Sequence, residues 1–340
     1  MARKAVLILN LGSPDTPSVA DVRKYLKEFL LDERVIDAPP LLRNLLVRGV
    51  ILPTRPKHTA AAYSKVWTEE GSPLIVTSQR VQKKVQDHLD LPVELAMRYG
   101  SPSIADAIGR LAEKGVEELF IMPMYPHYAM SSYETVLVRV QEEIKAQAPT
   151  MTWTVLQPFY KDDDYISALA ESSRSYITED LDKVLFSFHG IPERHMVKAD
   201  SSHAHCMTTP DCCNVCHPAQ STCYRHQCFE TLKALTRKIG LPMGKHAVSF
   251  QSRLTKEPWL RPFTDHVLEA FPKQGVKRIA VICPSFVADC LETLEEIEME
   301  GRKQFLAAGG EYFTMIPCLN EHPAWISTLV NRIQDWDQSR

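Results

Sequence analysis

Val184-Leu185-Phe186-Ser187-Phe188-His189-Gly190 decides how this chain is read. A short, nearly continuous apolar run that stops on histidine and glycine reads as a strand buried on both faces, with its carboxyl end opening into a loop. Seven more runs share that character: Val6–Leu9, Val93–Met97, Leu119–Met122, Thr152–Leu156, Ala247–Phe250, Ile279–Cys283 and Tyr312–Ile316. Helical patterns lie between them, among them Ile104–Glu113, Val136–Ala148, Phe229–Ile239, Cys290–Leu306 and Pro323–Ile333. Strand–helix alternation of this kind predicts parallel sheets with right-handed crossovers. The strands divide four and four, so the expected architecture is α/β, two similar doubly wound domains over 1–158 and 159–340. Two stretches read as irregular, about 31–73 and about 192–223, and long irregular segments in compact domains tend to be functional.

Bulk properties narrow the function. The 340 residues carry 39 basic and 42 acidic side chains, a formal net charge of −3. Such a balance gives no electrostatic case for nucleic acid. Met1-Ala2-Arg3-Lys4 followed by Ala5–Leu9 imitates a signal peptide, but Asn10, Gly12, Pro14 and Asp15 follow at once, and the stretch reads as a first buried strand. No apolar run approaches the ~18 residues that cross a bilayer. The expected location is cytoplasmic. Of nine cysteines, six fall between Cys206 and Cys228, and in a reducing compartment such clustering points to metal rather than disulfides.

Ligands of open α/β sheets sit beyond the carboxyl ends of the strands. His189 stands at such an edge, where imidazole can exchange a proton near neutrality or bind a metal, or simply cap the strand. In the same half, Cys283-Pro284-Ser285 leads into Asp289-Cys290-Leu291-Glu292-Thr293-Leu294-Glu295-Glu296. Glu292, Glu296 and Glu300 recur every four residues and share a helix face, either solvated or facing chemistry. If His189 and Glu292 meet, they offer one nitrogen and one oxygen to a divalent cation, a set that suits iron, zinc or manganese alike. Phe250-Gln251-Ser252-Arg253 with Pro258-Trp259-Leu260 ends a third strand, and a tryptophan there packs into the core or walls a flat ligand. In the first half, Arg98-Tyr99-Gly100 and Met122-Pro123-Met124-Tyr125-Pro126-His127-Tyr128 put tyrosines at strand ends. Gly12-Ser13-Pro14 lacks the further glycines of a dinucleotide fingerprint.

Together with Leu9-Asn10-Leu11-Gly12-Ser13-Pro14 and Gly71-Ser72-Pro73, these motifs, in this order along nearly the whole chain, resemble the ferrochelatase family. The resemblance implies two Rossmann-like domains with the active-site cleft between them, and an enzyme that inserts ferrous iron into protoporphyrin IX in the terminal step of haem synthesis. It implies that His189 and Glu292 hold the metal and carry the catalysis, and that Glu296 and Glu300 extend an acidic path. It places Tyr63, Ser72, Arg98, Tyr99, Tyr125 and Trp259 around the porphyrin. Leu11 stands where relatives differ against the macrocycle. The apolar stretch from Pro39 to Pro53 becomes a lip within 31–73, either packed on the core or touching the inner face of a membrane. Coproporphyrin or cobalt insertion on the same fold, and a non-catalytic haem or iron–sulfur sensor, are the competing readings; oligomeric state is left open.

The segment 203–228 is extra length relative to family members that lack it. Cys213 and Cys216 form a Cys-x-x-Cys pair, with Cys206, Cys212 and Cys223 close by. Thiolates in such numbers hold zinc or an iron–sulfur cluster, and spacing alone does not choose. Some ferrochelatases carry a 2Fe–2S cluster, a few bacterial ones in an internal insert, and the resemblance favours the cluster, with Cys206, Cys223 and two of Cys212, Cys213 and Cys216 as ligands.

Overall fold

The computed structural model describes residues 3–254 and 257–339; Met1 and Ala2, part of the stretch that imitates a signal peptide, lie outside them. The chain divides into two compact units. One comprises the chain up to Tyr125, Met130–Gln157 and the stretch from Ile326 on; the other comprises Pro126–Ala129 and Pro158–Trp325. The last helix, Pro323–Gln338, was expected in the second half of the chain, yet most of it belongs to the first unit. Trp336 stacks there on Phe120 at 5.1 Å and Lys4 pairs with Asp337 at 3.0 Å.

In the first unit β1 (Lys4–Ser13) pairs in parallel with both β2 (Val93–Gly100) and β3 (Glu118–Pro123), and β4 (Thr152–Val155) closes the far edge of β3, giving the order β2-β1-β3-β4. Ala5 to Leu9 are all essentially inaccessible, which is why five consecutive apolar residues sit on a strand that has neighbours on both sides and helices on both faces. In the second unit β5 (Lys183–His189) is central between β6 (His246–Gln251) and β7 (Arg278–Ile282), with β8 (Tyr312–Met315) outermost, in the order β6-β5-β7-β8. The two sheets therefore repeat one strand permutation. All eight strands read from apolar runs are present.

The crossover helices follow the usual rules. Ser103 accepts the Asp106 N–H at 3.1 Å and starts Ile104–Glu113, whose buried residues Ile104, Ala107, Ile108 and Leu111 form one apolar stripe. Gly12, at φ +108°, brings β1 so near β2 that a Cβ would stand 1.8 Å from the Tyr99 carbonyl oxygen, so no other residue fits.

Three stretches differ from the sequence-based expectation. The segment 31–73 is mostly helical, with an α-helix at Pro40–Leu45, a π-helical turn at Leu46–Ile51 and an α-helix at Leu52–Val66. Its prolines suggested irregularity, but Pro40 and Pro53 sit in first turns, where a missing N–H costs nothing, and the wide turn precedes Pro53 and Pro56. The segment 192–223 opens with the helix Glu193–Ala199 and is irregular only beyond it. Residues expected as one α-helix over 290–306 form a ten-residue π-helix, Glu292–Gly301, followed by the α-helix Arg302–Ala307. A repeat of four fits both helices, so periodicity could not separate them.

Candidate active site

The strand order reverses between β5 and β7, and a crevice at the carboxyl ends of such a pair is the expected ligand site. His189 ends β5, and the loop leaving β7 runs into the π-helix that starts at Glu292. His189 keeps some accessible surface, yet the protein packed around it lowers its pKa, while the charge of Glu292 pulls it back up. The Gln251 side-chain amide donates to the Glu292 carbonyl at 3.1 Å and so ties the start of the π-helix to the strand beside His189. Gly190 lets β6 close in: its N–H donates to the Gln251 carbonyl at 2.7 Å, and a Cβ would stand 2.6 Å from that oxygen and 3.6 Å from the Trp259 ring. Trp259, 7 % exposed, therefore packs against Gly190, the residue after the histidine, rather than standing out in solvent.

Behind Glu292 the acidic row becomes more exposed. Glu296 is half-buried and accepts the Ser252 N–H at 2.8 Å and the Ser252 hydroxyl. Those two bonds hold Ser252 in the left-handed region, φ +68°, a cost that serine accepts only where its surroundings fix it. Glu300 is exposed, 4.0 Å from Lys303. Nothing in Phe250-Gln251-Ser252-Arg253 announced that its serine would grip Glu296.

In the first unit, Arg98 and Tyr99 converge on Asp32. The guanidinium pairs with that carboxylate at 2.5 Å, the Tyr99 hydroxyl donates to it at 2.9 Å, and the Thr135 hydroxyl donates as well. Burial opposes the charge on Asp32, but the Thr135, Arg34 backbone and Arg98 interactions prevail and its pKa is lowered. Asp32 and Thr135 carried no signal in the sequence. Tyr99, expected near the porphyrin, has no accessible surface, and the Arg98 guanidinium lies 4.3 Å over its ring. Leu11 is half-buried at the end of β1, and Ser72 is buried just ahead of the helix Pro73–Gln86. Tyr63 is buried with its ring 6.0 Å from Trp67. Tyr125 is buried too, and its hydroxyl has no hydrogen-bond partner among the described residues, an arrangement native interiors seldom leave without a ligand or water.

The cysteine segment is organised by Asp200, whose carboxylate accepts the N–H groups of Ser202, His205 and Cys206, each at 2.9 Å, and the Ser202 hydroxyl at 2.6 Å. Cys206, Cys212, Cys213 and Cys223 are buried, Cys216 is exposed, and none of the nine cysteines is in a disulfide. The Cys206 and Cys213 thiols hydrogen-bond to Cys223, and the Cys213 bond holds the Cys223 thiol down to about 6 against the effect of burial. Among the described residues, no group of three or more His, Cys, Asp or Glu side chains is arranged as a metal site. The donor chemistry nevertheless suits one: buried thiols gathered on a partner that ionises easily.

The pKa of Glu296 is raised from 4.5 to about 7, by burial first and then by the charges of Glu292 and Glu295, with the Ser252 bonds opposing. A raised carboxyl stabilises the fold when protonated. That contribution is complete below pH 4.5 and disappears as pH climbs through about 7. With no metal added, the free energy of urea unfolding should fall between about pH 5 and 8 by up to roughly 3 kcal/mol. Glu296→Gln should flatten that slope, and parallel curves for the two proteins would refute the assignment.

The ferrochelatase family model matches residues 3–336. A ferrochelatase of Opitutus terrae is 55% identical over 342 residues, covering 100% of this chain and 99% of the relative. One from Azotobacter vinelandii is 49% identical over 332 residues, covering 97% and 98%. Among solved structures, SirB from Bacillus subtilis with Fe3+ matches with a TM-score of 0.57 at 10% identity, over 98% of this chain and 95% of that one. At that identity the likeness speaks for the fold alone. On the family match and the full-length identities, this chain belongs to the ferrochelatase family.

Proposed function

We propose that this enzyme inserts ferrous iron into protoporphyrin IX to make protohaem, with iron and porphyrin as its two substrates. The observation that carries the reading is Gln251, which bridges the segments bearing His189 and Glu292: its carbonyl accepts the N–H of Gly190, next to His189, at 2.7 Å, and its side-chain amide donates to the Glu292 carbonyl at 3.1 Å. Depression of the His189 pKa keeps its imidazole neutral near pH 7, able to accept a pyrrole proton or to present a lone pair to iron. Glu292 offers the charge that a dication needs. The row from exposed Glu300 through half-buried Glu296 to Glu292 suits a route for iron inward or protons outward. Arg98, held by Asp32, suits a propionate, and the unpartnered Tyr125 hydroxyl suits a polar group of the same ligand. In the first unit Ser72, Tyr63 and Leu11 would add porphyrin contacts, with Tyr99 as support for Arg98; in the second, Trp259 would wall a flat ligand beside Gly190. Binding energy from the flat ring would hold it bent, turning pyrrole lone pairs toward the metal.

His189→Ala should lower iron or zinc insertion roughly a thousandfold while porphyrin binding, followed by fluorescence, stays intact. Near-normal turnover in that variant would refute the role.

For the insert within 203–228 we infer a 2Fe–2S cluster on Cys206, Cys212, Cys213 and Cys223, with Cys216 set aside by its exposure. Such a cluster would supply a crosslink, and a redox-sensitive one, to a segment otherwise organised by Asp200. Purified protein should contain iron and acid-labile sulfide and absorb visible light, and Cys206→Ser should lose all three. Wild-type protein without iron or sulfide ends the idea.

We assign the functional division as lip segment 31–73 in the first half and metal site and cysteine insert in the second. In the lip, Leu41 is 81%, Leu45 67% and Val50 59% exposed, an apolar strip with Arg43 and Arg48 beside it that suits the surface of an anionic membrane. A cytoplasmic setting, with peripheral contact at the inner face of the membrane, agrees with nine unbridged thiols. Leu45→Glu with Leu46→Glu should reduce co-sedimentation with anionic liposomes; unchanged binding would count against the lip.

A further inference from the structure

Pairing between β5 and β7 ends at Phe186 opposite Ile282. His189 lies three residues further on, where β7 has already turned away through Cys283 and Pro284. Its backbone groups are nonetheless both occupied. The His189 N–H donates to the Ser285 hydroxyl at 3.2 Å, and the His189 carbonyl accepts from the Tyr224 hydroxyl at 2.8 Å. The two hydroxyls lie 2.8 Å apart.

The donor inventory fixes the direction of each bond. A carbonyl only accepts, so the Tyr224 proton goes to His189. Ser285 then has the proton to give and donates to the Tyr224 oxygen, while receiving the His189 N–H. The three bonds run one way round a closed ring, the arrangement in which each polarises the next. The Cys228 thiol also touches the Tyr224 hydroxyl, and can use the remaining lone pair.

The ring stands on rigid supports. Tyr224 is 5% exposed, with its ring 5.6 Å from that of His127. It opens the helix Tyr224–Ile239. Further along that helix Thr231 bonds to His127 at 2.8 Å, and Gln227 accepts the Tyr128 N–H at 2.7 Å. The Tyr165 hydroxyl, bound to the Pro284 carbonyl at 2.9 Å, fixes the loop that carries Ser285. That loop continues to Glu292. One tyrosine hydroxyl thus ties the end of β5 to the exit of β7, the two walls that present His189 and Glu292. The residue before it, Cys223, caps the start of the same helix, its carbonyl accepting the Gln227 N–H at 3.1 Å, so a displacement of Cys223 is passed directly to Tyr224.

We propose that Tyr224, acting with Ser285, is a positioning residue that sets His189 against Glu292 and makes that setting responsive to the state of Cys223. The proposal rests on the metal-inserting role of His189 given above. It explains why a thiol-rich insert should matter to chemistry: the insert contains the residue that holds the histidine's backbone.

The test uses full-length protein, zinc or ferrous iron, and protoporphyrin. Tyr224→Phe should lower kcat about tenfold, the scale expected when a reacting group is displaced by a fraction of an ångström, with porphyrin KM within about twofold. Ser285→Ala should do the same, and the double variant should be scarcely worse than either, since each opens the same ring. Cys223→Ser should lower kcat in the wild-type background and add little in the Tyr224→Phe background. A change in the His189 ring signals of 15N-histidine NMR in Tyr224→Phe is expected independently of turnover, recorded well below the variant's own thermal midpoint. Wild-type-like kcat and histidine signals in Tyr224→Phe overturn the proposal, as do fully multiplicative effects of Tyr224→Phe and Ser285→Ala. A wild-type protein that bound porphyrin but inserted no metal would overturn the functional reading and this one with it. Active wild type with an indifferent Tyr224→Phe sinks the positioning role alone.

Discussion

Parallel pairing of a buried strand with neighbours on both sides is the constraint from which the second unit is built. Val184 to Phe188 can lie among apolar side chains only because β6 and β7 take up their backbone groups. Where β7 leaves, that satisfaction must come from elsewhere, and two hydroxyls provide it. The cost of an unpaired amide in a dry interior, of order 1–3 kcal/mol, makes the substitution compulsory rather than ornamental. Histidine at the last position of the strand inherits a backbone held from one side by a sheet and from the other by side chains.

The first unit solves a similar problem with charge. Asp32 is nearly sealed from water, and an isolated carboxylate there would be costly. Arg98, Thr135, Tyr99 and the Arg34 amide compensate it. The arrangement fixes a guanidinium at a strand end with little freedom to move. The two units thus present opposite chemistries at topologically equivalent edges, a cation on one sheet and an imidazole with carboxylates on the other.

How far the sequence could be read depended on whether a feature is local. The strands were legible because each carries its burial within five or so consecutive residues. The equivalence of the two sheets was legible only as a count, since strand order depends on pairings between residues far apart in sequence. His189 was legible as a strand-end residue, and Glu292 as the start of an acidic row on a helix face. Their supports were not: Tyr224 lies 35 residues from His189, and Asp32 lies 66 from Arg98. Proline misled at 31–73 because its penalty vanishes in a first helical turn, and the spacing of the acidic row could not distinguish two kinds of helix. Among the cysteines the sequence supplied candidates, and burial separated Cys216 from the rest.

The shared strand order carries a consequence for how the chain comes off the ribosome. β5 cannot complete its pairing until Arg278–Ile282 has emerged, roughly 90 residues after it, which at about 5–20 residues per second takes several seconds or more. For that interval one of the most apolar segments of the protein has an unpaired edge. The nascent second half should therefore depend on chaperones more than its final stability would suggest, and a somewhat longer delay, set by the same permutation, recurs for β1, whose partner β3 begins at Glu118.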